Sequence, residues 1–319
     1  MDACIDIGGT KVAVSLSSGT GLALFARRSE ATAKTGTPDA LARQLIRLVD
    51  EACAEIGVAP ERVQRAGVSS CGPFVMRGGL IEIAAPNICG GIAGPARGLP
   101  NDWLTAPLEG VLRERFAQVR IENDCVAALE AERRWGALRG YEHCAYVTWS
   151  TGIGVGLCVD GRLLRGKNGN AGHAGHMFVS DNNDALCGCG NIGDVEALVA
   201  GNAIARRFGA DAPTLMQLAK DGDARADTMV AELCRIMGRA LYNLTATLDL
   251  QRISLGGSVY LHNADYLLPR LQAQVSSHFP ALTAGCELVT AGLGTQVGDY
   301  AALALLANGA DAPAAGARG

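Results

Sequence analysis

The chain is poor in aromatic residues and in charge of either sign. Phe, Trp and Tyr make up 5% of its 319 residues, and Asp, Glu, Lys and Arg 19%. The formal net charge is −4 with no basic stripe, so no nucleic-acid partner is expected. No stretch reaches the roughly 18 consecutive apolar residues of a membrane span, so no membrane partner is expected either. The N-terminus, "MDACIDIGGTK", has neither the basic region nor the cleavage site of a secretory leader. The 11 cysteines are odd in number and mostly sit singly in apolar runs such as "GVSSCG" and "HCAYV". That pattern argues against a disulfide framework and fits reduced, buried thiols in a cytoplasmic protein.

Apolar residues and glycine are abundant instead. At 49% hydrophobic, the chain can bury a large core, and its length allows two domains or one large one. Its 41 glycines point to many tight turns. Residues 2–29 read as a β-meander, with "GGT" and "SSGTG" as turns. Residues 37–56 read as a helix capped by Thr37, with Pro38 in its first position. "VQRAGVSS" and "QVRIEND" read as strands, separated by a long Gly/Pro loop, "IAAPNICGGIAGPARGLPNDW", and a helix at 107–116. Loops of that length tend to be functional.

A helix over 125–139 then leads into a second sheet. "HCAYVTWS" and "GVGLCVD" flank "TGIG", and "CVDGRLL" reads as a hairpin with an Asp-Gly turn. Helical periodicity runs from 226 to 249, "RISLGG" reads as a strand, and "GDYAALALLA" as a closing helix before a loose tail. The two halves repeat one order of elements, and strands interleaved with helices make the fold α/β.

Several motifs carry chemistry. In "DIGGTK", Asp6 ends a strand and Gly8, Gly9 and Thr10 form a turn whose backbone N–H groups can hold phosphate oxygens. Lys11 can add to this, and Asp6 can hold a hydrated Mg²⁺. A plain hairpin turn is the alternative. "STGIGVG", with Thr151, Gly152 and Gly154, is a second such turn; two of them facing across a cleft would grip one polyphosphate. In "IENDCVAALEAE", Asp124 is placed to take a proton from a substrate hydroxyl and Asn123 to orient it. Helix capping would account for the same two residues. In "NGNAGHAGHM" and "CGCGNIGDVE", His176, Cys187, Cys189 and Asp194 are candidates for a closed tetrahedral zinc site. Ordinary buried cysteines are the alternative.

In order, these motifs resemble those of the ROK family of sugar kinases and repressors, over nearly the whole chain. "DIGGTK" resembles the family's first phosphate loop, "ENDCVAALEAE" its catalytic-aspartate segment and "STGIGVG" its second phosphate loop. "GKNGNAGHAGH" resembles the G-x-x-G-x-A-G-E-x-G-H signature, "CGCGNIGDVE" the zinc signature, and "ISLGGSV", with Gly256 and Gly257, the adenosine-side glycines.

The resemblance implies an actin-like (ribonuclease H-like) two-domain fold with a central cleft. Residues 1–121 plus 296–319 would form the smaller domain; 122–295 would form the larger, with the zinc site and a dimer surface. It implies a sugar and ATP as small-molecule partners, with Mg²⁺, a structural Zn²⁺ and a homodimer. Asp124 would be the base that deprotonates the sugar 6-hydroxyl. Asn87, Asn123 and Glu196 would hold other hydroxyls, and Gly72 would approach the sugar closely. His176 would bind zinc through one ring nitrogen and face the sugar with the other.

The sequence departs from the family pattern in three places. His173 stands where the signature has glutamate, Asp194 stands where the zinc motif has a third cysteine, and the loop around Asn87 is longer than usual. The first and last of these resemble the amino-sugar kinases of antibiotic pathways, which makes kanosamine (3-amino-3-deoxyglucose) the expected acceptor; glucose or an N-acetylhexosamine is the alternative. The family's repressors carry a helix-turn-helix ahead of the first strand, and with a strand at residue 3 none is expected here. Asp124 and the two phosphate turns favour a kinase over a non-catalytic sugar-binding protein.

Overall fold

A computed structural model describes residues 1–307 except Thr20, 94–97 and 181–184; the expected loose tail and part of the long loop lie outside the described residues. The first half contains strands β1 (Asp2–Ile7), β2 (Lys11–Ser17) and β3 (Leu24–Ala31), helix α1 (Ala40–Glu55), then β4 (Arg65–Ser70), β5 (Phe74–Arg77) and β6 (Leu80–Ile83). It continues through α2 (Gly90–Ala93), β7 (Ala106–Pro107), α3 (Glu109–Arg113) and β8 (Gln118–Asn123). Helix α4 (Asp124–Trp135) leads to β9 (Cys144–Trp149), β10 (Ile153–Val159) and β11 (Arg162–Leu163). Then come helices α5 (Val195–Val199), α6 (Gly201–Phe208), α7 (Ala212–Lys220) and α8 (Ala224–Leu248). Strand β12 (Arg252–Gly256), helices α9 (Ser258–Leu261), α10 (Ala264–Ser276) and α11 (Pro280–Thr283), β13 (Glu287–Thr290) and α12 (Val297–Ala304) complete the order.

The repetition expected of the two halves is present in the topology. The first sheet runs β3-β2-β1-β4-β8 and the second β11-β10-β9-β12-β13. In each, the first strand pairs antiparallel with the second and parallel with the fourth, and the fourth parallel with the fifth. Strand β1 is buried almost throughout, because α1 covers one face of its sheet and α12 the other. The edge strand β3 alternates between exposed and half-buried residues, as a strand with one wet face does. The register aligns Asp6 with Ser69 and Ser70 with Asn123, so β1, β4 and β8 end together. Open α/β sheets bind ligands outside the carboxyl ends of such strands.

Three local readings shift. The first long helix begins at Ala40 rather than in the turn Thr37–Pro38–Asp39, where the Thr37 carbonyl accepts from Ala40 N at 2.9 Å. The Thr37 hydroxyl bonds the Asp39 carboxylate at 2.5 Å instead of capping, and that carboxylate also takes Arg43. The helix after Asn123 stops at Trp135, since Gly136 leaves helical geometry (φ −110, ψ −148). The long loop is interrupted by α2, and a small sheet flanks it, with β5 and β6 before the loop and β7 after it. The Asp-Gly hairpin turn is as expected, with φ of 52 at Asp160 and 71 at Gly161. Among the described residues no helix is long and apolar enough to cross a membrane.

Helix α4 starts at the end of the first sheet and lies on the second, packing against β10 and β9, with α12 alongside. It comes this close because β10 presents glycine to it. A Cβ at Gly156 would collide with the Cys125 carbonyl oxygen, and one at Gly154 with the Cys125 sulfur. Gly156→Ala is therefore expected to cost at least about 1–3 kcal/mol, the usual penalty for overpacking. A urea denaturation midpoint equal to that of the parent would contradict this packing.

Candidate active site

Asn123 and Asp124 lie at the junction of β8 and α4. Asn123 is the helix N-cap: its Oδ1 accepts from Cys125 N at 3.0 Å, and Asp124 Oδ1 accepts from the same N–H at 2.8 Å. The capping reading is correct as far as it goes, but it does not use up Asp124. That residue is exposed and lines a cavity of about 1680 Å³. Enclosure pushes its pKa above the usual carboxylate value, and the Cys125 N–H pulls it back. The cavity is larger than the roughly 300–1,000 Å³ of an ordinary small-molecule site, so two ligands fit side by side.

Gly72 lines the same cavity just after β4. A Cβ on it would stand 3.3 Å from the His173 ring and 3.4 Å from Asn123 Nδ2, so a bare backbone separates those two polar groups. Burial lowers the pKa of His173, the nearby His176 lowers it further, and Asp124 opposes both; the net direction favours the neutral ring. Asn87 is also in the wall, and its Oδ1 is buried with no hydrogen-bond partner. Buried polar atoms are nearly always paired, so an orphaned amide oxygen at a cavity fits a ligand hydroxyl.

The two glycine-rich turns are placed differently. Thr151, Gly152 and Gly154 line the cavity. Their turn is pinned by Ile153 N donating to Glu196 Oε2 at 3.0 Å and Gly201 N donating to the Ser150 carbonyl at 2.8 Å. Gly8, Gly9, Thr10 and Lys11 do not line it directly. Their turn is closed by Gly8 N donating to the Lys11 carbonyl at 2.9 Å, and it backs onto the site at Asn87, whose amide a Cβ at Gly9 would overlap. Asp6 is not in the cavity wall. Burial first, then the charge of Asp124, pushes its pKa up to about 6. A buried carboxylate that feels the charge of a second suits a hard divalent cation with oxygen ligands, so Asp6 fits Mg²⁺. Gly256 and Gly257 are packed on Tyr146 and Trp149 at the end of β12 and are not part of the cavity wall.

His176, Cys187, Cys189 and Asp194 converge, with ligand atoms all within 4.8 Å of one another. His176 Nδ1 is 3.2 Å from Asp194 Oδ2 and 3.7 Å from Cys187 Sγ, and Cys189 Sγ is 3.6 Å from Asp194 Oδ2. Tetrahedral zinc with Zn–S of about 2.3 Å and Zn–N or Zn–O of about 2.0–2.1 Å sets ligand atoms roughly 3.3–3.8 Å apart. The donor set and its spacing therefore fit zinc, with Asp194 in the place of the third cysteine. The other oxygen of Asp194 caps α5 by accepting from Ala197 N at 2.8 Å. Glu196 reaches the cavity from this helix, but one of its oxygens is spent on Ile153 and the other lies 3.7 Å from Cys187 Sγ.

Asn202 and Arg206, one helical turn apart on α6, also line the cavity beside the second glycine turn. Their i, i+4 spacing in "GNAIARRF" is the signal for them in the sequence. Asn170, within "NGNAGHAGHM", bonds the backbone of Phe74 and carries no such local signal.

Comparison with known proteins agrees with this geometry. The model of the ROK family matches residues 2–308. A glucokinase of Aeropyrum pernix is 30% identical over 94% of this chain and 95% of its own length. An N-acetylmannosamine kinase of Salmonella typhimurium is 34% identical over 81% of this chain and 82% of its own. The crystal structure of a ROK hexokinase from Thermus thermophilus superposes with a TM-score of 0.76 at 31% identity, covering 95% of this chain and 96% of that one.

Metal analysis of protein purified without chelator is expected to give one zinc per chain. Cys187→Ser or Cys189→Ser should release it and lower the melting temperature, because binding at such a site is coupled to local folding. Metal-free protein with the parent's melting temperature would remove zinc from the site.

Proposed function

The chain belongs to the ROK family and is an ATP-dependent sugar kinase, and we propose that it phosphorylates the 6-hydroxyl of a hexose or amino-hexose, with kanosamine as its acceptor. The observation that carries the reading is that Asp124 lines one cavity with the second glycine turn and with Asn87, whose Oδ1 is buried and unpaired.

Phosphoryl transfer asks a protein mainly to position groups and neutralise charge. Asp124 accepts the proton of the attacking hydroxyl, and its raised pKa brings it closer to the operating pH, where a general base is most effective. Asn123 and Asn87 orient neighbouring hydroxyls, while Gly72 and neutral His173 form the two walls of the sugar slot. His176 and Glu196 complete the sugar site. The turns at Gly8–Lys11 and Thr151–Gly154 hold phosphate oxygens, and Gly256 and Gly257 serve the adenosine side. Asp6 would hold Mg²⁺, which when bound would supply charge neutralisation to the phosphates. The divisions 1–121 plus 296–319 and 122–295 act as lobes whose closure excludes water, and the larger lobe carries a homodimer surface.

Kanosamine rests on His173, neutral where the ROK signature carries a fixed charge, and on the long loop beside Asn87. The names of the relatives favour glucose or N-acetylmannosamine as competitors. A coupled assay over these three sugars is expected to give kanosamine the highest kcat/KM. A higher value for either competitor would replace the acceptor and leave the kinase in place.

Asp124→Asn keeps shape and removes the base. Its kcat should fall by about 10²–10⁴-fold, the range for general-base removal, with sugar binding retained. A kcat equal to that of the parent would take Asp124 out of the mechanism.

A further inference from the structure

The loop after β11 belongs to the second half of the molecule, yet it is tied to the first half beside the sugar slot. Asn170 makes the tie. Phe74 N donates to Asn170 Oδ1 at 2.8 Å, and Asn170 Nδ2 donates to the Phe74 carbonyl at 2.7 Å. One side-chain amide thus takes both backbone groups of a single residue, 96 positions away. Phe74 is a firm anchor: its ring is 2% exposed and packs in the core of the first half. Two residues before it is Gly72, one wall of the slot. Three residues after Asn170 is His173, the other wall.

Both ends of this connection are stiff. The loop is seated on the second sheet at Gly172 (φ +96), where a Cβ would collide with the Val155 carbonyl oxygen. Ala171 N donates to the Arg165 carbonyl at 3.0 Å. Gly169 (φ +82) lies against the Phe74 ring, with a Cβ there 3.3 Å from Cδ2. A second tie between the halves, Arg165 to Glu122 at 2.5 Å, has its arginine side chain 44% exposed. Ion pairs that open to water contribute little and hold direction poorly. The nucleotide-side turn is pinned independently, by Glu196 and by the start of α6.

We propose that Asn170 is a positioning residue for the acceptor sugar: its two-ended clasp on the Phe74 backbone fixes the gap between Gly72 and His173. The proposal rests on the sugar-kinase reading above and concerns the width of that same slot. It accounts for an amide at this position, because only a group with one donor and one acceptor can meet an N–H and a carbonyl together. An aspartate there would place a carboxylate oxygen against the Phe74 carbonyl oxygen.

The test compares Asn170→Ala and Asn170→Asp with the parent, full length and with its metals. Both variants are expected to raise KM for the sugar about tenfold or more, the scale of one to two lost hydrogen bonds, while KM for ATP stays put. The isosteric aspartate should be no better than alanine. A variant whose sugar and ATP constants rise together, or an aspartate variant that matches the parent, would overturn the clasp. The backbone exchange of Phe74, followed by mass spectrometry without substrates, reads the same contact independently of activity. Its amide hydrogen should exchange faster in Asn170→Ala, which removes the acceptor, and unchanged protection there would also overturn the clasp. A parent enzyme that phosphorylates no hexose, yet shows that faster exchange in Asn170→Ala, would refute the kinase reading and leave the contact standing.

Discussion

The architecture turns on one buried carboxylate. Glu132, near the end of α4, is fully buried and accepts three backbone N–H groups: Ala137 at 2.7 Å, Gly292 at 2.9 Å and Leu293 at 2.8 Å. A charge removed from water is tolerable only when its lone pairs are met, and here the main chain meets them. The bonds join α4 to the segment that leads into α12. Helix α12 in turn lies on β1 and β4 of the first sheet, so tightly that a Cβ at Gly67 would overlap the Ala302 carbonyl oxygen. The helix that begins with Asp124 is thereby held from its far end by the return segment of the chain.

The front end of α4 is fixed by different means. Parallel pairing brings β1, β4 and β8 to a common edge, beyond which Gly72 and Asp124 line one cavity. Cys125 N–H then donates to both Asn123 Oδ1 and Asp124 Oδ1, which limits how either can turn. Ordinary helix capping and preparation of a base are the same act here. Burial raises the pKa of both Asp6 and Asp124, and the charge of Asp124 raises that of Asp6 further, which makes a cation welcome there.

Across the cavity, residues serve two ends at once. Asp194 caps α5 with one oxygen and meets His176 and Cys189 with the other. Glu196 closes the second glycine turn and approaches Cys187. The metal-type cluster is thus part of the wall that shapes the ligand space. Disturbing it would be felt by the phosphate turn through Glu196 and by the sugar slot through His176.

Much of this was legible in the sequence because it is local. Asp6, the glycine turns, Asn123–Asp124 and the C-x-C pair announce themselves by residue type and spacing within a few positions, and the repeated strand order follows from alternating apolar runs. The β5–β6 hairpin is legible too: "FVMRGGLIEI" holds two strands around Gly78 and Gly79, both with positive φ. The start of α1 was misplaced because Asp39, beyond Thr37 and Pro38, attracts the hydroxyl that would have capped. What tertiary structure alone decided are the pairings between distant residues: Glu132 with Gly292 and Leu293, Asn170 with Phe74, Asn202 and Arg206 beside the second turn. Hydrogen bonds to main chain explain why. Every residue but proline offers a backbone N–H, and every residue a carbonyl, so the partner's identity leaves no mark in the sequence, and only the fold selects which one is met.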